Sequence, residues 1–326
     1  MRKKYKNIFF VFGLAVLAVM ITQLDFAEVC DGMRKAGYRV VAVMLLWIPL
    51  YAINTLTWYI IIRSADPQAP AVRWTFLYRL TVAGFALNYA TPGGLMGGEP
   101  YRIMELTPKI GVERATSSVI LFVMTHIFSH FWFWLLAVAL FVLTRPLTAV
   151  TAVLLALVTL FCLLGLWFFM AGYRRGIAVS LTSLLSHVPG LRNRVAAFAD
   201  RHGEQLADID RRIAALHRQN RPTFVAAVAL ELLCRVLASA EIMLCLLVLM
   251  PAVSYVDCII ILAFTSLFAN LLFFLPLQLG GREGGFLLSA AGLAMSAGTG
   301  IFVALIVRLR EIVWTAIGLL LIKVKT

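Results

Sequence analysis

The stretch Thr91-Pro92-Gly93-Gly94-Leu95-Met96-Gly97-Gly98-Glu99-Pro100-Tyr101-Arg102 interrupts an apolar run, and its reading decides the fold. A second stretch, Pro276-Leu277-Gln278-Leu279-Gly280-Gly281-Arg282-Glu283-Gly284-Gly285, has the same character. Each follows a hydrophobic segment with an asparagine just before its end, Asn88 in the first and Asn270 in the second. Each joins a proline, clustered glycines and a carboxylate near an arginine. Backbone freed by proline and glycine cannot face lipid, because unpaired N–H and C=O groups there cost several kcal/mol each; such breaks survive inside protein or beside a water-filled cavity. Two matching breaks in corresponding positions of two halves point to a transport site.

The rest of the chain supplies the membrane. Of 326 residues 62% are hydrophobic, and the mean hydropathy is +0.91, far above globular composition. Full spans are expected near 7–24, 38–62, 115–143, 148–171, 223–250 and 299–322, each near the roughly 20 residues a bilayer requires. Two further apolar pieces, 76–90 and 256–275, lead into the breaks and read as descending arms of re-entrant hairpins. The expected fold is therefore an all-α polytopic membrane protein with six full spans and two re-entrant hairpins, eight apolar segments in all. The basic start before Ile8–Ile21 mimics a signal peptide, but Thr22-Gln23-Leu24-Asp25 is a poor cleavage site, so a retained first helix is expected.

Net charge is +13, yet its placement argues against a nucleic-acid partner. Arg2, Lys3, Lys4 and Lys6 precede the first span, and a second basic cluster occupies the polar loop 172–222. Both fit cytoplasmic flanks under the positive-inside rule, and both can also hold anionic headgroups. With the N-terminus inside, the order span–hairpin–span occurs twice in opposite orientation, which is an inverted-topology repeat. Both termini then lie in the cytoplasm; a full crossing by 256–275 would instead place the C-terminus outside. The divisions are 1–37 (first helix and outer loop), 38–145 (first repeat), 146–222 (linking helix and basic loop) and 223–326 (second repeat). Within the loop, Val195–Leu216 has helical apolar spacing and reads either as an amphipathic surface helix or as a coupling helix on the bundle. The five cysteines show no CxxC or Cys/His zinc spacing and read as small packing residues.

Ionisable side chains at membrane depth cost about 2.5–3.5 kcal/mol each on insertion scales and so are paired or line a pathway. The hairpins supply Glu99, Arg102, Arg282 and Glu283; the last span supplies Arg308, Arg310 and Glu311, with Arg308 and Glu311 on one helix face. Span 223–250 adds Glu231, Arg235 and Glu241, of which Glu231 and Arg235 have the i,i+4 order of a structural ion pair. Arginines beside glycine-rich backbone at helix termini make a phosphate site. Glu99 and Glu283 either orient those arginines or carry a coupling proton, or they simply lock the hairpins. His126 and His130 lie four apart on one face, which could hold a metal, although nothing nearby completes a site. Two satisfied bundle histidines, or a headgroup contact, is the plainer reading. The Gly93–Gly98 stretch lacks the GK[ST] ending and the βαβ context of a P-loop.

At Pro92-Gly93-Gly94 through Gly98-Glu99-Pro100-Tyr101-Arg102, then Pro276 with Gly280-Gly281-Arg282-Glu283, then Arg308, the sequence resembles the lysylphosphatidylglycerol synthase transmembrane, flippase-like family. The resemblance implies an integral inner-membrane protein of bacteria that moves lipids between leaflets, with aminoacylated phosphatidylglycerol, hopanoids or polyprenyl-linked sugars among the associated lipids. The larger synthases continue into a soluble aminoacyltransferase domain; this chain reaches Thr326 soon after its last apolar run, so synthase activity is not expected of it. The reading is a lipid translocase without ATP or other cofactor. Its substrate is a membrane phospholipid or polyprenyl-linked lipid, and a glycosyltransferase or synthase is a candidate partner. Arg102, Arg282, Arg308, Glu99, Glu283, Glu311, His126 and Arg235 form its substrate site, with no catalytic or metal-binding residue. An intramembrane lipid-modifying transferase, or a non-transporting partner subunit, is the alternative.

Overall fold

Apolar runs long enough to cross a bilayer one after another satisfy their backbone as helices, and the described residues of the computed structural model are almost all helical. It describes residues 33–65, 72–90, 97–175, 221–271 and 297–323, with isolated positions 11, 31, 284–286, 289, 293 and 295. The expected first span 7–24, the loop helix 195–216, and Arg282 and Glu283 lie outside the described residues, apart from position 11. The described residues form eight helices whose bounds are defined: α1 Tyr38–Ala65, α2 Trp74–Ala90, α3 Gly98–Ile110, α4 Val112–Thr144, α5 Ala149–Arg175, α6 Arg221–Leu249, α7 Tyr255–Leu271 and α8 Ala297–Lys323. Among the described residues there is no strand.

Four of these helices, α1, α4, α5 and α6, are long and apolar enough to cross a membrane. The 27 residues of α8 match them in length, but Arg308, Arg310 and Glu311 sit in its middle. In contrast α2 and α7 have 17 residues each, roughly 25 Å of helix against a hydrocarbon core of about 30 Å. The most peripheral helix is α5, whose Val150, Leu157, Leu164 and Trp167 all point outward. Such a ring of exposed apolar side chains is intolerable in water and ordinary in lipid.

In the first break the chain doubles back. Gly98, the first residue of α3, lies against Gly84 and Asn88 near the end of α2, and Arg102, one turn on, reaches the Thr81 carbonyl one turn earlier on α2. The two helices therefore run antiparallel as a tight hairpin. A Cβ at Gly98 would lie 2.7 Å from Asn88 Oδ1 and 2.8 Å from the Gly84 carbonyl carbon, so only glycine allows this approach. The start of α3 carries Glu99 in its first turn, where the helix dipole favours a carboxylate, and Pro100 where no N–H is required. Gly111, at φ +84°, then turns the chain from α3 into α4.

Lipid offers no hydrophobic drive between helices, so close packing around small residues holds them together. The most extensive contacts are α1 with α6 and α2 with α8. A Cβ at Gly318 of α8 would lie 2.9 Å from the Val82 carbonyl of α2, which shows how closely those backbones approach. Exchanging α1 with α6, α2 with α7 and α4 with α8 maps the packed pairs among these six helices onto themselves. The α2–α8 pair becomes α7–α4, α1–α2 becomes α6–α7, α1–α4 becomes α6–α8, and α1–α8 becomes α6–α4; all are in contact.

Candidate functional site: a charged cavity between the helices

The inner faces of α1, α2, α4, α6, α7 and α8, with the first turns of α3, border a cavity of about 320 Å³. Three arginines (Arg102, Arg235, Arg310), three glutamates (Glu99, Glu231, Glu241) and His126 and His130 line it, among aromatic and aliphatic side chains. Both asparagines that precede the breaks, Asn88 and Asn270, face it too, as do Glu99 just after the first break and Phe286 just after the second.

The first cluster is built on the α2–α3 hairpin. Asn88 bridges it: its Oδ1 accepts from the Gly98 N–H at 2.7 Å, and its Nδ2 donates to Glu99 Oε1 at 2.9 Å. Arg102 is 1% exposed. Its Nη1 donates to Glu99 Oε1 at 3.4 Å and its Nη2 to the Thr81 carbonyl at 3.3 Å, while the guanidinium lies 4.8 Å from the Phe85 ring centre and 5.3 Å from that of Phe122. Cation–π contacts of this desolvated kind contribute about 2 kcal/mol. Gly84 makes room for the guanidinium, since a Cβ there would come within 2.7 Å of Arg102 Cζ.

The second cluster joins α4 to α6. His126 Nδ1 lies 2.8 Å from Glu231 Oε2. Arg235 donates to Ser129 Oγ at 2.9 Å, to the His126 carbonyl at 2.8 Å and to His130 Nε2 at 2.8 Å. The i,i+4 ion pair expected between Glu231 and Arg235 does not form. Each side chain reaches across to α4 instead, because a neighbouring helix offers partners that also satisfy the half-buried histidines.

The third cluster joins α6 to α8 and α1. Arg310 meets Glu241 through two hydrogen bonds, 2.9 Å from Nε and 3.2 Å from Nη2, with both side chains almost fully buried. Trp47 Nε1 donates to the same carboxylate at 3.2 Å, and the guanidinium stacks 3.9 Å from the Trp47 ring centre. Glu99 Oε2, Arg102 Nε, Glu231 Oε1 and Arg310 Nη1 are buried and have no hydrogen-bond partner among the described residues, although buried polar atoms ordinarily find one.

Of the expected site residues, Glu99, Arg102, His126 and Arg235 come together here. Arg308, half-buried, and Glu311, buried, lie on α8 but do not line the cavity. Arg310 takes the place proposed for Arg308, because positions two apart on a helix point to nearly opposite faces. Glu231, His130, Glu241, Arg310 and Trp47 line the cavity but were not among the residues the sequence assigned to the substrate site. The signal for Arg310 was available: Val303, Val307, Arg310 and Trp314 form one buried helical stripe. Among the described residues no group of three or more metal-ligating side chains converges.

Long apolar helices around a charged interior cavity define a multi-pass helical membrane protein. The chain matches the family described as "Lysylphosphatidylglycerol synthase TM region" over residues 8–318, and it belongs to that family. It is also 35% identical over 122 residues to a UPF0104 membrane protein of Methanothermobacter thermautotrophicus, an alignment that covers 36% of this chain and 35% of that relative. No solved structure matches the chain significantly.

Proposed function

We propose that this protein is a lipid translocase that moves a phosphate-bearing lipid, or a lipid-linked headgroup, between leaflets without ATP. One observation carries the reading: three arginines and three glutamates line a single cavity among helices long and apolar enough to span a bilayer. Charges at that depth mark pathways more often than scaffolding. The partnerless oxygens and nitrogens of Glu231, Glu99, Arg102 and Arg310 are sites that a polar headgroup would complete. Arg102, Arg235 and Arg310 grip the phosphate, Glu99 and Glu241 hold two of those arginines in place, and the acyl or prenyl tails stay in lipid.

The exchange relation among helix pairs supports an inverted-topology repeat, and the short α2 and the hairpin it makes with α3 support a re-entrant element. Rocking of one repeat against the other would open the cavity to each leaflet in turn. The basic N-terminal residues and the basic loop support a reading with both termini in the cytoplasm, in a bacterial inner membrane. The family's name carries a synthase, so a synthase or glycosyltransferase acting on the same lipid is the expected partner.

The test is movement of fluorescent phospholipid between leaflets of proteoliposomes, comparing wild type with Arg102→Gln and Arg310→Gln. The reading expects accelerated movement that both variants reduce at least tenfold. Wild-type vesicles no faster than protein-free vesicles would overturn it.

A further inference from the structure

Arg102 and Arg310 each meet a glutamate, whereas Arg235 contacts only neutral groups: Ser129 Oγ, the His126 carbonyl and His130 Nε2. The nearest carboxylate on its own helix, Glu231, is taken up by His126. Arg235 is thus the cavity arginine that touches no carboxylate among the described residues, Glu231 acting on its charge only through space.

The contact with His130 fixes that residue's protonation. A guanidinium only donates, so His130 Nε2, 2.8 Å from Arg235 Nη1, must present its lone pair. His130 Nδ1 lies 3.0 Å from the His126 carbonyl oxygen, which only accepts, so Nδ1 carries the hydrogen. His130 is the neutral Nδ1–H tautomer. A second proton, on Nε2, would set N–H against N–H and cation against cation. Arg235 on His130 and a proton on His130 are mutually exclusive.

We infer that Arg235 and His130 form a proton-linked anion site, in which an anionic headgroup draws Arg235 off His130 and the uncovered Nε2 takes up one proton. One proton passes from a hydronium ion of the bulk solvent to Nε2: an O–H bond of the hydronium breaks, one N–H bond forms on the imidazole, and neutral water is left. The guanidinium and the new imidazolium then flank the anion together, so a headgroup and a proton travel as a pair. This deepens the translocase reading and rests on it, naming the coupling ion and the residue that carries it.

The neighbouring charges agree. His126 (α4) and Glu231 (α6) lie one turn away, and Arg102 (α3) shares the Phe85 and Phe122 rings with His126. From α1 comes Tyr51, packed on Phe85, and from α5 Cys162, packed beside Trp134. On α7, Asp257 is occupied by Arg145 at the far end of α4. Among the described residues, Glu231 is therefore a carboxylate positioned to offset an imidazolium in this cluster.

The experiment adds dihexanoyl phosphatidylglycerol to purified full-length protein in weakly buffered detergent, with a pH-indicator dye, and measures binding separately by calorimetry. Wild type should take up about one proton per headgroup bound, and by linkage its apparent Kd should rise with pH by up to about tenfold per unit. His130→Gln keeps a donor for the His126 carbonyl and an acceptor for Arg235 but cannot be protonated; it should bind without proton uptake. Nitrogen-15 NMR of the wild-type imidazoles, which needs no variant, should show one Nε2 moving from unprotonated to protonated on binding. Wild-type binding without uptake, or undiminished uptake in His130→Gln, would overturn the proton link and leave the headgroup site standing. Absence of binding would overturn both.

Discussion

Replacing Glu241 by alanine removes the partner of the most deeply buried ion pair in the site. Its two bonds to Arg310, at 2.9 and 3.2 Å, and its bond from Trp47, at 3.2 Å, disappear together. Unit charges about 3 Å apart attract by roughly 5–6 kcal/mol at an effective dielectric constant of about 20. That attraction is offset by desolvation while the pair is intact, but the cost of desolvating Arg310 remains when Glu241 is gone. Breaking a buried pair in this way costs about 3–5 kcal/mol, whereas replacing both partners by apolar groups is often neutral. Glu241→Ala should therefore lower the unfolding midpoint in detergent by on the order of 10 °C. Glu241→Leu combined with Arg310→Met should recover most of that loss. Thermal unfolding followed by tryptophan fluorescence reads both. A Glu241→Ala loss below about 1 kcal/mol, typical of a solvated surface pair, or a double variant no more stable than the single, would refute the claim that this pair is dry and structurally coupled.

Three further outcomes are expected. Asp257→Asn breaks the pair between the buried Asp257 of α7 and the partly exposed Arg145 that follows α4; because Arg145 can turn to water, the loss in the same unfolding assay should be about 1–2 kcal/mol, smaller than that of Glu241→Ala. Gly84→Val places carbon where the Arg102 guanidinium now lies; native mass spectrometry should show less phospholipid retained on the purified variant than on wild type, and equal retention would contradict the role given to Arg102. Cys30, in the expected outer loop, should react in intact cells with a membrane-impermeant maleimide, while the buried Cys162, Cys234, Cys245 and Cys258 should not. Labelling of Cys30 only after the membrane is opened would reverse the proposed orientation.

The helices were legible because lipid imposes a crude rule. Long apolar runs at 38–62, 115–143, 148–171 and 223–250 became α1, α4, α5 and α6 within a few residues. The first half of the site was legible because proline, glycine, asparagine and paired charges are expensive in a membrane, and Asn88, Glu99 and Arg102 come together as the break implied. What the sequence could not set was helix rotation and partner choice. Arg308 and Arg310 are equally costly residues, and only packing of α8 on α2 and α6 turns Arg310 rather than Arg308 toward the cavity. Likewise Glu231 and Arg235 have favourable spacing on their own helix, yet His126 and His130 on α4 outcompete it. Pairings such as Glu241 with Arg310 and Trp47 lie far apart in sequence, and no local spacing rule reaches them.

The most direct measurement fills the cavity and asks whether lipid still moves. Ala238 lines the cavity without contributing charge or a hydrogen-bonding side chain. Ala238→Cys can be labelled with a pyrene maleimide, large enough to occupy much of the roughly 320 Å³ volume. The account predicts that leaflet-to-leaflet movement in proteoliposomes stops on labelling, while the unlabelled variant and the reagent-treated parent still move lipid. Undiminished movement in the fully labelled protein would contradict it, because the headgroup would then be crossing somewhere other than between the two breaks.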